Sequence, residues 1–115
     1  MNIKIYHNPR CTKSRQTLAL LEKKTTDFKI IEYLKNPLSF DEIKDIVEKL
    51  VVKPIDLIRK NEKIWRDNYK GKEMTDVEII KAMEINPKLI ERPIVINERQ
   101  GIIARPPEKV LSLFR

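Results

Sequence analysis

The sequence predicts an α/β fold in one domain, with a β-α-β unit, a block of short helices and a closing β-β-α unit. Three observations support this prediction. Ile3 and Ile5 alternate with more polar residues, as in a half-buried strand, and a helical pattern begins near Cys11. Two Ser or Thr residues, each followed three positions later by Glu, indicate helix starts in the middle of the chain. The apolar run 94–96 is typical of a strand covered on both faces.

Length and composition agree with a single domain over residues 1–115. The chain has 115 residues, 41% of them hydrophobic and 36% charged, which is enough to build a core under a well-charged surface. The sequence has no apolar run long enough to cross a bilayer and no signal-peptide pattern, so no membrane association is expected. With one cysteine there is no internal disulfide, which indicates a cytoplasmic protein, and one His with one Cys makes no metal site.

The net charge of +7 raises the question of nucleic-acid binding. Lysines and arginines are spread along the chain and interleaved with acidic residues, and no basic stripe rich in aromatics is present. The charge pattern therefore disfavours nucleic acid as a partner and fits attraction of small anions equally well.

The β-α-β unit comes first. A helix is predicted from about Cys11 to Lys24, with Ser14, Leu18 and Leu21 on one face. Residues 28–33 read as the second strand, parallel to the first because a helix connects the two. Asn36-Pro37 then interrupts the pattern.

The helical block follows. Ser39 and Glu42 have capping-box spacing, and so do Thr75 and Glu78. Between these two helices, residues 54–59 are predicted to form a helix with Ile55 and Ile58 facing inward. Residues 61–72 are predicted to form a short helix and a loop, carrying Trp65 and Tyr69.

The closing unit completes a thioredoxin-like order of elements. Residues 94–96 and 102–104 are predicted strands joined by a turn at 97–101, and Pro106-Pro107 opens a last helix carrying Val110, Leu111, Leu113 and Phe114. The prediction is a mixed four-stranded sheet, with a helical insertion at about 38–90 between the second and third strands.

Cys11 is the candidate reactive group. Pro9 suits the turn before a helix, so Cys11 falls at or near the helix start, where unpaired backbone N–H groups and the helix dipole stabilise a thiolate and can hold an oxyanion. Arg10, Lys13 and Arg15 add positive charge nearby, as would a protonated His7. The alternative is that Cys11 only fills the core, as buried cysteines often do. The helix start and the cations favour the reactive thiol.

Several segments resemble the glutaredoxin-linked arsenate reductases of the thioredoxin fold. They are Ile5 to Cys11 followed by Ser14 to Thr17, then residues 57–61, 91–96 and 104–111. The resemblance implies a Cys11 thiolate that attacks arsenate, followed by glutathione and glutaredoxin, which complete reduction to arsenite. No bound cofactor is implied, and glutathione would be a co-substrate.

The resemblance also assigns roles to further residues. Arg59, Arg92 and Arg105 match three oxyanion-binding arginines, and guanidinium groups suit this role because they bind oxyanions bidentately. His7 and Ser14 match residues that tune the thiolate. Pro93 matches a cis-proline that faces the cysteine, so a cis Arg92–Pro93 bond is expected.

Two alternatives remain open at this stage. Related Spx-type regulators bind RNA polymerase, but their usual switch is a Cys-x-x-Cys pair, whereas this chain has Cys11-Thr12-Lys13-Ser14. Other relatives are general glutathione-dependent thiol reductases without arsenate activity. The three arginines favour the arsenate reductase, since a regulator has no evident need of them.

Overall fold

The computed structural model describes residues 2–114. The strands are β1 (Ile3–Tyr6), β2 (Phe28–Ile31), β3 (Ile94–Ile96) and β4 (Gly101–Ile103). The α-helices are α1 (Thr12–Lys24), α2 (Phe40–Leu50), α3 (Lys63–Asn68) and α4 (Asp76–Ile85). Three 3-10 helices cover Pro54–Leu57, Pro87–Leu89 and Pro107–Phe114. No helix within this range is long and apolar enough to span a membrane.

The chain divides into two compact units. One contains the residues up to Asn36 together with those from Arg92 onward, and so holds all four strands, α1 and the last 3-10 helix. The other is Pro37–Glu91, which holds α2, α3, α4 and the remaining 3-10 helices. The second unit has nearly the bounds predicted for the insertion, while the assignment of both units to a single domain stays a prediction.

The first unit contains the predicted mixed sheet, with strand order β2-β1-β3-β4. β1 runs parallel to β2, and β3 runs antiparallel to both β1 and β4. All three residues of β3 are buried, as the apolar run predicts. The core under the sheet is formed by Ile3, Ile5, Leu21, Val95, Ala104, Val110 and Leu113.

The bounds of two strands and the type of the last helix in this unit differ from the sequence-based prediction. β2 ends at Ile31 rather than Tyr33, because the Glu32 carbonyl accepts the N–H groups of Lys35 and Asn36 and so closes a turn. β4 begins at Gly101, which pairs with Ile96, and ends at Ile103. The last helix is a 3-10 helix, in which positions three apart lie on one face, so Val110 and Leu113 are buried while Leu111 and Phe114 are half-buried.

Two helices of the second unit, α2 and α4, begin with capping boxes. Ser39 accepts the Glu42 N–H at 3.2 Å while Glu42 accepts the Ser39 N–H at 3.1 Å, which is a complete capping box at the start of α2. Thr75 and Glu78 form the same reciprocal pair at α4. Both predicted caps are confirmed. Helices α2 and α4 bury apolar residues that include Ile43, Ile46, Val47, Ile79, Ile80 and Met83.

The prediction that Ile55 faces inward is wrong. Residues 54–57 form a 3-10 helix, which places Pro54 and Leu57 on the buried face and leaves Ile55 half-buried. Ile58 is buried as predicted, just beyond this helix, where it forms an antiparallel bridge with Ile90.

Candidate active site

Cys11 lies at the start of α1, as the sequence predicts. It is the N-cap residue, with φ −92° and ψ 121°, and the helix begins at Thr12. The Cys11 N–H donates to the Asn8 carbonyl at 3.0 Å, and the Cys11 carbonyl accepts the Arg15 N–H at 3.0 Å. Cys11 is 9% exposed as a residue, and its side chain is a free thiol. The backbone around the sulfur is therefore fixed on both sides.

The surroundings of Cys11 favour its thiolate. Burial by itself would raise the pKa of the Cys11 thiol, but the backbone N–H groups of Ser14 and Lys13 and the charges of Arg92 and Arg105 outweigh it and lower this pKa below its ordinary value. The helix-start effect was predicted from the sequence. The charges of Arg92 and Arg105, which are distant in the sequence, lower the pKa of Cys11 further. Lys13 lowers this pKa through its backbone N–H rather than through its side-chain charge.

His7 and Ser14 form a buried pair beside the thiol. His7 Nδ1 lies 2.6 Å from Ser14 Oγ, and the same hydroxyl oxygen accepts the Asn8 N–H at 3.0 Å. His7 is 6% exposed and Ser14 is fully buried. Because His7 directly follows β1 and Ser14 lies in the first turn of α1, the pair joins that turn to the end of β1.

The surroundings of His7 disfavour its charged form, which argues against the positive charge that a protonated His7 would add. Burial lowers the pKa of His7, the carboxylate of Glu32 partly opposes this effect, and the Arg15 guanidinium lowers the pKa further. The role left to His7 is to hold the Ser14 hydroxyl by a hydrogen bond.

Arg15 has a structural function that the sequence pattern does not reveal. Its Nη1 donates to the Pro9 carbonyl at 2.8 Å, and its Nη2 donates to Thr12 Oγ1 at 3.2 Å. These acceptors lie on either side of Cys11 in the chain. The Arg15 guanidinium thus closes the loop that carries Cys11, in addition to placing a positive charge near it.

Arg92, Pro93 and Arg105 lie in the same unit as Cys11. The Arg92–Pro93 bond is cis, which confirms that prediction, and Arg105–Pro106 is also cis. Arg105 Nη1 donates to the Arg92 carbonyl at 3.4 Å, and the Ala104 N–H donates to the Pro93 carbonyl at 2.9 Å. These bonds join the segment before β3 to the segment after β4, and both arginines act electrostatically on Cys11.

Arg59 lies in the second unit. Its backbone N–H donates to the Leu89 carbonyl at 2.7 Å, and its Nη1 lies 3.4 Å from both the Lys88 carbonyl oxygen and Glu62 Oε2. These contacts orient the side chain, which is 24% exposed. Its predicted convergence with Arg92 and Arg105 on a shared oxyanion stays a prediction.

No group of three or more His, Cys, Asp or Glu side chains that could hold a metal occurs within residues 2–114. The site instead offers one activated thiol, a cradle of backbone N–H groups and guanidinium charge. This combination suits nucleophilic attack by sulfur on a small anionic centre.

Comparisons with known proteins agree with this chemistry. The sequence model of the ArsC family matches residues 6–113. The chain is 40% identical to the arsenate reductase of Haemophilus influenzae, with 99% of this chain and 100% of that protein covered. It is 38% identical to the YfgD protein of Escherichia coli, over 96% of this chain and 95% of that protein. Among solved structures, the arsenate reductase from Vibrio cholerae is 39% identical, with a TM-score of 0.91 and 97% of each chain covered.

Proposed function

Because this chain belongs to the ArsC family, we propose that it is an arsenate reductase in which the Cys11 thiolate attacks arsenate. The observation that carries the proposal is the lowered pKa of Cys11, which lies beside two backbone N–H groups and within reach of the Arg92 and Arg105 charges. A thiolate is the nucleophilic form of cysteine, and the same positive groups lower the repulsion between it and an anionic substrate.

The electron balance requires a second thiol from outside the chain. Arsenate gains two electrons as it becomes arsenite, two thiols lose those electrons as they become a disulfide, and one arsenate oxygen leaves as water. Cys11 is the only cysteine. We therefore assign the second thiol to glutathione, with glutaredoxin completing the reduction.

Each arginine has a role in this proposal. Arg59, Arg92 and Arg105 bind the arsenate oxygens, and their charge offsets the charge that accumulates when an anionic sulfur attacks an anionic substrate. His7 and Ser14 hold the first turn of α1 in place, and Pro93 lines the site opposite the thiol. The protein acts in the cytoplasm, where glutathione is reduced.

The test is arsenate-dependent formation of oxidised glutathione in the presence of glutaredoxin. We expect turnover with the wild type and none with Cys11→Ser. Absence of turnover with the wild type, together with glutathione-dependent reduction of a small disulfide such as hydroxyethyl disulfide, would replace the proposal with the general thiol reductase.

A further inference from the structure

The peptide group between Pro9 and Arg10 is held at both of its ends. Its N–H, which belongs to Arg10, donates to Asn8 Oδ1 at 3.0 Å, and its carbonyl, which belongs to Pro9, accepts Arg15 Nη1 at 2.8 Å. This peptide group comes immediately before Cys11 in the chain. Because a hydrogen bond at each end opposes rotation of the peptide plane, the two bonds together fix its orientation.

Arg15 also reaches past Cys11 to the start of the helix. Its Nη2 donates to Thr12 Oγ1 at 3.2 Å while its Nη1 donates to the Pro9 carbonyl. Side chains of an α-helix point back towards its N-terminus, which brings the Arg15 guanidinium to the loop before α1. The guanidinium is a rigid planar fork, so this one side chain links the loop to the first residue of α1.

The position of the Cys11 sulfur depends on this link. Cys11 is the N-cap residue, with φ −92° and ψ 121°, so its own backbone does not have the helical conformation. The backbone N–H groups that lower the pKa of its thiol belong to Lys13 and Ser14, inside α1. A shift of the loop relative to α1 would therefore change the distance between the sulfur and these N–H groups. A displacement of about 1 Å at a reacting group can lower a rate about 100-fold.

We propose that Arg15 is a positioning residue for the Cys11 thiolate, and that it acts through its two hydrogen bonds rather than through its charge. The charges that lower the pKa of Cys11 come from Arg92 and Arg105. The Arg15 charge acts on His7, whose pKa it lowers against the opposing effect of Glu32. This inference rests on the proposed function, since it takes Cys11 as the nucleophile of that reaction.

The two actions of Arg15 can be measured separately, because the chain has one cysteine and one histidine. The pH dependence of alkylation reports on Cys11, and the ring proton signals in an NMR titration report on His7. Arg15→Lys keeps the charge but loses the planar fork. We expect it to raise the midpoint of Cys11 alkylation by about half a pH unit, which slows alkylation at pH 7 about threefold, and to leave the pKa of His7 unchanged. Arg15→Gln loses both and should also raise the pKa of His7.

Two further variants serve as controls. Thr12→Val removes only one of the two acceptors and should raise the alkylation midpoint by less than Arg15→Lys does. Lys23→Gln removes an exposed cation from the last turn of α1 and should change neither Cys11 nor His7. A wild-type midpoint in Arg15→Lys would show that the charge suffices and would overturn the proposal. Should Arg15→Lys fail to fold, an unchanged midpoint in Thr12→Val would overturn it.

Arsenate turnover separates this inference from the proposed function. For Arg15→Lys we expect kcat to fall about threefold or more, with the KM for arsenate changed less than about twofold, because Arg15 positions the nucleophile and does not bind the substrate. A raised KM with an unchanged kcat would make Arg15 a substrate-binding residue and contradict the proposal. If the wild type does not reduce arsenate but the alkylation results hold, the proposed function fails and the positioning role of Arg15 stands.

Discussion

Replacing Ser14 with alanine tests whether the buried pair with His7 holds the active turn in place. Ser14 is fully buried, and its hydroxyl oxygen serves two groups, His7 Nδ1 at 2.6 Å and the Asn8 N–H at 3.0 Å. Alanine fills almost the same space but leaves both groups without that partner. An unpaired buried polar group costs about 1–3 kcal/mol, and the Asn8 N–H is only partly buried, so we expect a total loss of about 2–4 kcal/mol in the free energy of unfolding.

The assay is urea denaturation at pH 7.5, with Thr17→Val as the control. Thr17 is also fully buried on α1, but its hydroxyl donates to the Lys13 carbonyl of the same helix, which accepts helical bonds in any case. Removing that hydroxyl should cost less than about 1 kcal/mol. A Ser14→Ala variant within about 0.5 kcal/mol of the wild type would show that the hydroxyl stabilises nothing, and would refute the role assigned to the pair.

A double-mutant cycle separates the pair from other effects of the substitution. If the cost of Ser14→Ala comes mainly through His7, then Ser14→Ala should cost much less in a His7→Phe background. We expect a coupling free energy of about 1 kcal/mol or more between the two positions. Additive effects would instead assign the cost to the Asn8 N–H alone.

Four further predictions follow, two on the thiol, one on the arginines and one on a strained residue. The alkylation rate of Cys11 should rise with a midpoint below the free-cysteine value of about 8.5, and Arg92→Ala or Arg105→Ala should move that midpoint upward. Because the pKa of Cys11 is lowered in the folded state, its contribution to stability relative to Cys11→Ser should be present above about pH 8.5 and be lost as pH falls through the folded value. Replacing Arg59, Arg92 or Arg105 with alanine should slow arsenate turnover at least tenfold, which corresponds to about 1.4 kcal/mol. Lysine at the same position should restore only part of the lost turnover, because an ammonium cannot bind an oxyanion bidentately. Normal turnover in all three alanine variants would contradict the reductase mechanism. Val51 ends α2 in a left-handed conformation, with φ 55°, and is 88% exposed. A β-branched residue adopts this conformation at a cost in free energy, so Val51→Gly should raise the free energy of unfolding by about 1 kcal/mol. A loss of stability in Val51→Gly would refute that account.

The sequence by itself determined the features that depend on neighbours a few positions away. Both capping boxes, at Ser39 and Thr75, were predictable because each cap and its Glu lie within one helical turn. Cys11 could be placed at a helix start for the same reason, from Pro9 and the spacing of Ser14 and Leu21. The resemblance to a family then supplied the cis bond before Pro93, which no local rule favours.

The tertiary structure decided the features that depend on distant parts of the chain. The inward face of residues 54–57 was misassigned to Ile55 because the spacing alone does not distinguish a 3-10 helix from an α-helix. The lowered pKa of His7 could not be read from the sequence, since it depends on burial and on the charges of Glu32 and Arg15. The cations that act on Cys11 likewise come from Arg92 and Arg105, far along the chain, rather than from its immediate neighbours. Local spacing fixes hydrogen bonds within a turn, whereas desolvation and charge act through space and depend on how the chain folds back on itself.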